Sequence, residues 1–155
     1  MRKTIFLSPD VAEVELSYKS KVPASMRKKI SCSRDAYNLF NESWRTEKIE
    51  HVEEFKLLLM NRSNSVLGIL EVSKGGLSGT VTDVRLIFQA AIKANASGII
   101  VAHNHPSGNL NPSESDSKIT MKIKEAGNLM DIQLLDHLIL TTEGNYYSFA
   151  DNGLL

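Results

Sequence analysis

The stretch "GIIVAHNHPSGNLNPSESD", residues 98–116, passes from an apolar run into two histidines, a proline-glycine turn and a serine that opens an acidic segment. The run from Ile99 to Ala102, short and bounded by polar residues, is the pattern of a strand buried on both faces. Pro106, Ser107 and Gly108 force the chain to turn. Ser113, directly after Pro112, is a helix N-cap. A buried strand that leads through a polar loop into a helix is a building unit of α/β domains, whose ligands collect beyond strand ends. The stretch therefore sets the fold class and the place to look for a site.

Working outward, the helix after Ser113 places Ile119, Ile123 and Ala126 on one side and has Gly127 as its expected stop. "IQLLDHLILT" then reads as a strand and "GNYYSF" as a turn and a final strand. Upstream, "VRLIFQAAIKANA" predicts a helix capped by Thr82 or Asp83, with Leu86, Ile87, Ala90, Ala91 and Ala94 on its apolar face. Before a glycine-permitted bend in "KGGLSGT", the segment "EEFKLLLMNRSNSVLGILEVSKGG" predicts two strands joined by a turn at Asn61 to Asn64. Ser33 caps an earlier helix whose face carries Ala36, Leu39, Phe40 and Trp44. Strands and helices thus alternate around a mixed sheet with helices on both faces.

A chain of 155 residues that is 42% hydrophobic suits one domain with a sizeable core. Residues 1–30 are the least regular and are expected to be an N-terminal arm, with the domain at 31–155. Lys plus Arg and Asp plus Glu number 18 each, so no bulk charge draws the protein to nucleic acid or to an anionic membrane. A single cysteine, Cys32, excludes an intramolecular disulfide framework and a multi-cysteine metal site. The start does not resemble a signal peptide, and no span nears the roughly 18 apolar residues of a membrane helix. A cytoplasmic protein is the expectation.

The chemistry lies in the loop. His103 and His105 are two apart, so a strand that continues through them points both rings one way and Asn104 the other. Asp116 falls in the first turn of the following helix, where the helix field favours a carboxylate that can turn back into the same cleft. Two histidines one residue apart carry little information alone, and a capping carboxylate would leave the same letters. The full spacing, His-x-His, seven residues, Ser, two residues, Asp, points to a metal. Two imidazoles and a carboxylate leave a fourth position open, the usual composition of a catalytic zinc site. Such a site also needs a carboxylate base that is not a ligand. Glu53 lies an even number of residues before Phe55, Leu57 and Leu59 and shares their face, whereas Glu54 shares the face of Lys56. Glu53 is the base if the apolar face borders the cleft, and Glu54 if it does not.

Glu53, "HNHP" at 103–106, Ser113 and Asp116 resemble the JAMM signature of the JAB1/MPN metallopeptidases. The wider text, with "LMNRSNSVLG", "VRLIFQAAIKANASGIIV" and "LLDHLIL", is similar to the bacterial RadC family, long labelled DNA repair proteins, over about residues 30–155. The resemblance implies a three-layer αβα sandwich around a mixed sheet, similar to the cytidine deaminase fold. It implies zinc on His103, His105 and Asp116, Glu53 as general acid/base, and Ser113 as donor of a hydrogen bond to the oxyanion. The implied activity is hydrolysis of an amide or isopeptide bond in a protein or peptide whose identity the motif does not give; nor does the sequence give an oligomeric state. The alternative is a DNA-associated accessory module with a structural metal. Longer members carry an N-terminal helical region suggestive of DNA binding, where this chain has some thirty loosely patterned residues. Duplex binding through Lys19, Lys21, Arg27, Lys28 and Lys29 is therefore expected to be weak and salt-dependent.

The remaining polar residues have plainer readings. His137, beside Asp136 in an apolar strand, is expected to be a satisfied structural histidine, with a supporting role to the ligands as the alternative. His51 is expected to be exposed, Ser107 to form the turn, and Cys32 to be partly buried. Asn104 is expected either to orient substrate or to stabilise the turn. The nucleobase deaminase pattern, His-x-Glu with Pro-Cys-x-x-Cys, is absent.

Overall fold

The computed structural model describes residues 10–75 and 81–155. Within them the regular elements follow in the order α1 (Ser33–Ser43), β1 (Glu54–Met60), β2 (Val66–Lys74), α2 (Val84–Lys93), β3 (Gly98–Asn104), α3 (Glu114–Leu129), β4 (Gln133–Leu140) and β5 (Tyr146–Ser148). A short 3-10 turn, Ala24–Met26, precedes them.

The five strands form one mixed sheet in the order β2-β1-β3-β4-β5. β3 runs parallel to β4, and every other neighbouring pair is antiparallel. A parallel pair needs a crossover, and α3 supplies it between β3 and β4. The loop after β3 is therefore the start of a βαβ unit, which brings the N-terminus of α3 back over the end of the strand that carries the histidines.

β3 is buried along its whole length, and alternation divides its side chains between two cores. Ile99 and Val101 join Phe55, Leu57 and Leu59 beneath α2 and α3, with Ile87, Phe88 and Ile123. Ile100 and Ala102 join Leu58 and Met60 beneath α1, with Ala36, Phe40 and Trp44. The molecule is thus the three-layer αβα sandwich that the sequence implies. Each fully buried aliphatic or aromatic side chain stabilises this arrangement by about 1.5–3 kcal/mol before ordering costs.

Local details follow from caps and close approaches. Asp83 caps α2 by accepting the Arg85 N–H at 2.9 Å. The N-cap of α1 is Cys32, one residue earlier than expected, and Asp35 accepts the Ser31 N–H at 2.8 Å just ahead of it. The β1–β2 turn closes on Asn61, whose Oδ1 accepts the N–H groups of Ser63 and Ser65, and Asn64 takes a left-handed φ of 56°.

Three further expectations are corrected. α3 does not stop at Gly127 but runs two residues further. Gly127 is needed because the chain returns across it: the Ile132 N–H donates to Gly127 O at 2.9 Å, and a Cβ there would lie 2.2 Å from Ile132 O. On α2, Leu86 is 44% exposed and Phe88 fills the core instead. Cys32 is exposed because it precedes the first turn of α1 rather than lying on its apolar face. The bend in "KGGLSGT" falls largely on residues 76–80, outside the described residues, as do residues 1–9. Among the described residues no helix is long and apolar enough to cross a membrane.

Candidate metal centre

Backbone bonding carries the geometry of β3 one residue past its end. The His105 N–H donates to Leu140 O at 2.9 Å, so strand alternation persists and the His103 and His105 rings share one side. Gly108 then turns the chain at a left-handed φ of 79°, and its N–H donates to His105 O at 3.0 Å. The turn brings Asn109 O within 2.5 Å of His105 Nδ1. A carbonyl can only accept, so in the neutral ring Nδ1 holds the proton and Nε2 is a bare lone pair.

Asp116 is the third residue of α3 and is clamped by a reciprocal capping box. Ser113 Oγ accepts the Asp116 N–H at 3.0 Å, and Asp116 Oδ2 accepts the Ser113 N–H at 2.7 Å. In this pose Asp116 Oδ1 lies 3.1 Å from His103 Nε2 and Oδ2 lies 3.3 Å from His105 Nε2. The two Nε2 atoms are 2.9 Å apart, and one ligand atom from each of the three residues lies within 4.8 Å of the others. Lone pairs that converge so closely repel unless a positive charge, a proton or a metal cation, is shared among them. The donor set, two imidazoles and a carboxylate, fits a divalent metal with an open position.

The cluster forms the floor of a cleft of about 1110 Å³, also bordered by Glu53, His51, Asn111 and Ser113. His51 is exposed at its rim, as expected. Glu53 and Glu54 part company at the head of β1. Glu53 faces the cleft, on the side of Phe55. Glu54 is buried on the other side, where its carboxylate lies 3.7 Å from Lys56 Nζ and 3.2 Å from Lys74 Nζ.

Electrostatics follow this geometry. Burial raises the Glu53 pKa, and the Asp116 charge adds to that while the two histidines oppose it. Burial works against the Asp116 carboxylate, yet its bonds to His103 and His105 hold it far below the usual carboxylate range. For His105, burial opposes the charged form but is outweighed by the bond to Asp116 and by the Asn109 carbonyl, so its pKa is raised.

Asn104 has a role that the sequence did not reveal. Its side chain points to the opposite face, accepts the Glu54 N–H at 2.7 Å and donates to Ile49 O at 2.7 Å and Val52 O at 2.9 Å. It therefore staples the segment 49–54, from which Glu53 projects, to the strand that bears the histidines. Ser107 lies in the turn and its Oγ accepts the Asn109 N–H at 3.4 Å. His137 is fully buried and lies against the cluster, with Nε2 2.8 Å from His103 Nδ1. Burial, together with the nearby His103, depresses its pKa well below the ordinary histidine value. Thr120, unremarked in the sequence, bonds the other His137 nitrogen at 2.6 Å. Its position four residues after Asp116, on the same face of α3, is the signal that marks it.

Comparison with known proteins agrees with this geometry. A family model described as "RadC-like JAB domain" matches residues 30–154. The chain is 45% identical over 145 residues to a "UPF0758 protein" of Flavobacterium johnsoniae, which covers 93% of this chain and 62% of the relative. It is 41% identical over 148 residues to one of Porphyromonas gingivalis, covering 94% and 63%. The chain thus spans somewhat over three-fifths of these curated relatives. With the fold, the His-His-Asp cluster and the matched residues all in accord, the chain belongs to the RadC family, with a JAB1/MPN-type domain.

Proposed function

We propose that the protein is a zinc-dependent hydrolase of JAMM type that cleaves an amide or isopeptide bond in a protein or peptide. The single observation that carries this reading is the convergence of His103, His105 and Asp116 within 4.8 Å at the floor of a cleft that Glu53 also faces. His103 and His105 through Nε2, and Asp116 through its carboxylate, would hold the ion. Zinc bound there supplies a Lewis acid that polarises a carbonyl and makes water more acidic.

The chain's own groups complete the chemistry. Glu53 accepts a proton from the attacking water as the new C–O bond forms and returns it to the departing nitrogen as the C–N bond then breaks, so the proton count balances. Its partly buried position and raised pKa suit a group that must both take and give a proton. Ser113 Oγ uses a lone pair to accept the Asp116 N–H, which leaves its O–H free to donate toward the negative oxygen that develops on the substrate. Residues 31–155 would form this catalytic domain and residues 1–30 its arm. The DNA-associated alternative gains little from the basic segment, where Lys28 is ion-paired with Glu42 at 2.8 Å.

Zinc content and cleavage of a mixed-sequence peptide library, followed by mass spectrometry of new termini, test the proposal. One zinc per chain and new termini that vanish with a chelator and in Glu53→Gln are expected. Wild-type protein that retains no zinc, or new termini that persist in Glu53→Gln, would overturn it.

A further inference from the structure

Behind the cluster lies a chain of three side chains whose hydrogen-bond polarity has one solution. Thr120 Oγ1 lies 2.6 Å from Asp116 O, a backbone carbonyl that can only accept, so the hydroxyl proton goes there. With its one proton committed, Thr120 Oγ1 can only accept at its second contact, 2.6 Å from His137 Nδ1. His137 therefore carries a proton on Nδ1. Its ring is fully buried, stacked on Phe149 at 4.9 Å between centroids and tilted against Phe55 at 5.6 Å. The adjacent carboxylate, Asp136, spends its oxygens elsewhere, on the His137 and Ala150 N–H groups and the Ser148 hydroxyl. A ring so enclosed, with no carboxylate on either nitrogen, is neutral. Its Nε2 is then bare, and His103 Nδ1, 2.8 Å away, must be the donor.

We infer that Thr120 and His137 are positioning residues that lock His103 in the Nδ1–H form and so keep its Nε2 lone pair turned into the cluster. The direction of the whole chain is set by one backbone carbonyl, that of Asp116, which is itself a member of the cluster. The inference rests on the reading of His103 as a metal ligand, and it adds what fixes that ligand's tautomer. The usual partner of a ligating histidine is a carboxylate or a carbonyl. Here a second, neutral histidine takes that place, which supplies an acceptor without burying another charge.

Two measurements test the lock. Imidazole nitrogen NMR on protein labelled at histidine should find the His137 proton on Nδ1 and a proton on His103 Nδ1, with or without zinc. Zinc affinity, measured by competition with a chromophoric chelator, should fall by about 10–100-fold in Thr120→Val and in His137→Phe. Thr120→Ser, which keeps the hydroxyl, should restore wild-type affinity. Phenylalanine preserves the stacking on Phe149, so a role in packing alone predicts no loss, and a thermal melt of each variant separates misfolding from weak binding. Zinc affinity unchanged in both Thr120→Val and His137→Phe, or a His137 proton on Nε2, would overturn the inference. Wild-type protein that shows the stated tautomers but binds no zinc would instead sink the metal reading and leave the lock standing.

Discussion

Two polar clusters lie back to back on opposite faces at the head of the same sheet, and they are built on opposite principles. On the α1 side, Glu54 meets Lys56 and Lys74, Lys74 also meets Glu71 at 3.3 Å, and Lys56 Nζ donates to Ser43 O at 2.8 Å while resting 4.3 Å over the Trp44 ring. Opposite charges there are paired among the residues themselves. On the α2–α3 side, His103, His105, Asp116 and Glu53 bring lone pairs and carboxylates together, and among the described residues no lysine or arginine lines their cleft. A closed cluster stabilises a fold. A cluster with more acceptors than donors is able to hold a cation from outside the chain.

The contrast can be broken most directly by ligand deletion. His105→Ala should lower zinc from one per chain to near none by elemental analysis, whereas Glu54→Gln should leave it unchanged. Equal zinc in both variants would mean that the open cluster does not bind it. The next largest effect should be on turnover: Glu53→Gln should retain zinc and lose about 10²–10⁴-fold in peptide cleavage. Glu54→Gln should turn over at the wild-type rate, and the reverse ranking would exchange the roles of the two carboxylates.

Smaller effects sharpen the same comparison. Zinc at about 100 times its Kd should stabilise the wild-type fold by about 2.7 kcal/mol, seen as a rise in Tm. The same zinc should leave the Tm of His105→Ala where it is. Lys56→Met should cost about 1–3 kcal/mol in chemical denaturation, because it removes one of the cations beside a buried carboxylate. Its zinc content should not change. Loss of zinc in that variant would show that the two clusters are not independent.

Much of this was legible because it depends on parity and local spacing. Alternation puts Glu53 and Glu54 on opposite faces and His103 with His105 on one, and the capping pattern places Asp116 in the first turn of α3. What escaped the sequence depends on contacts between distant segments. Gly127 reads as a helix stop until Ile132 returns across it, and Asn104 reads as a residue that orients substrate or stabilises the turn until segment 49–54 is laid beside it. His137 reads as a satisfied core histidine or as a support to the ligands, and its two partners, His103 34 residues away and Thr120 17 residues away, are not legible from its neighbours in the chain. Leu86 and Phe88 differ by two positions on one helix, and only the placement of α2 against the sheet decides which is covered.

The staple made by Asn104 has a mechanical consequence. Asn104 lies between the two histidines in the chain and grips the segment that carries Glu53 from the far side of the sheet. Any rigid displacement of that strand carries the histidines and the carboxylate along together. Their separation is then referenced to a single part, as in a jig cut from one block, whereas Asp116 reaches the same cluster from a separate element, α3.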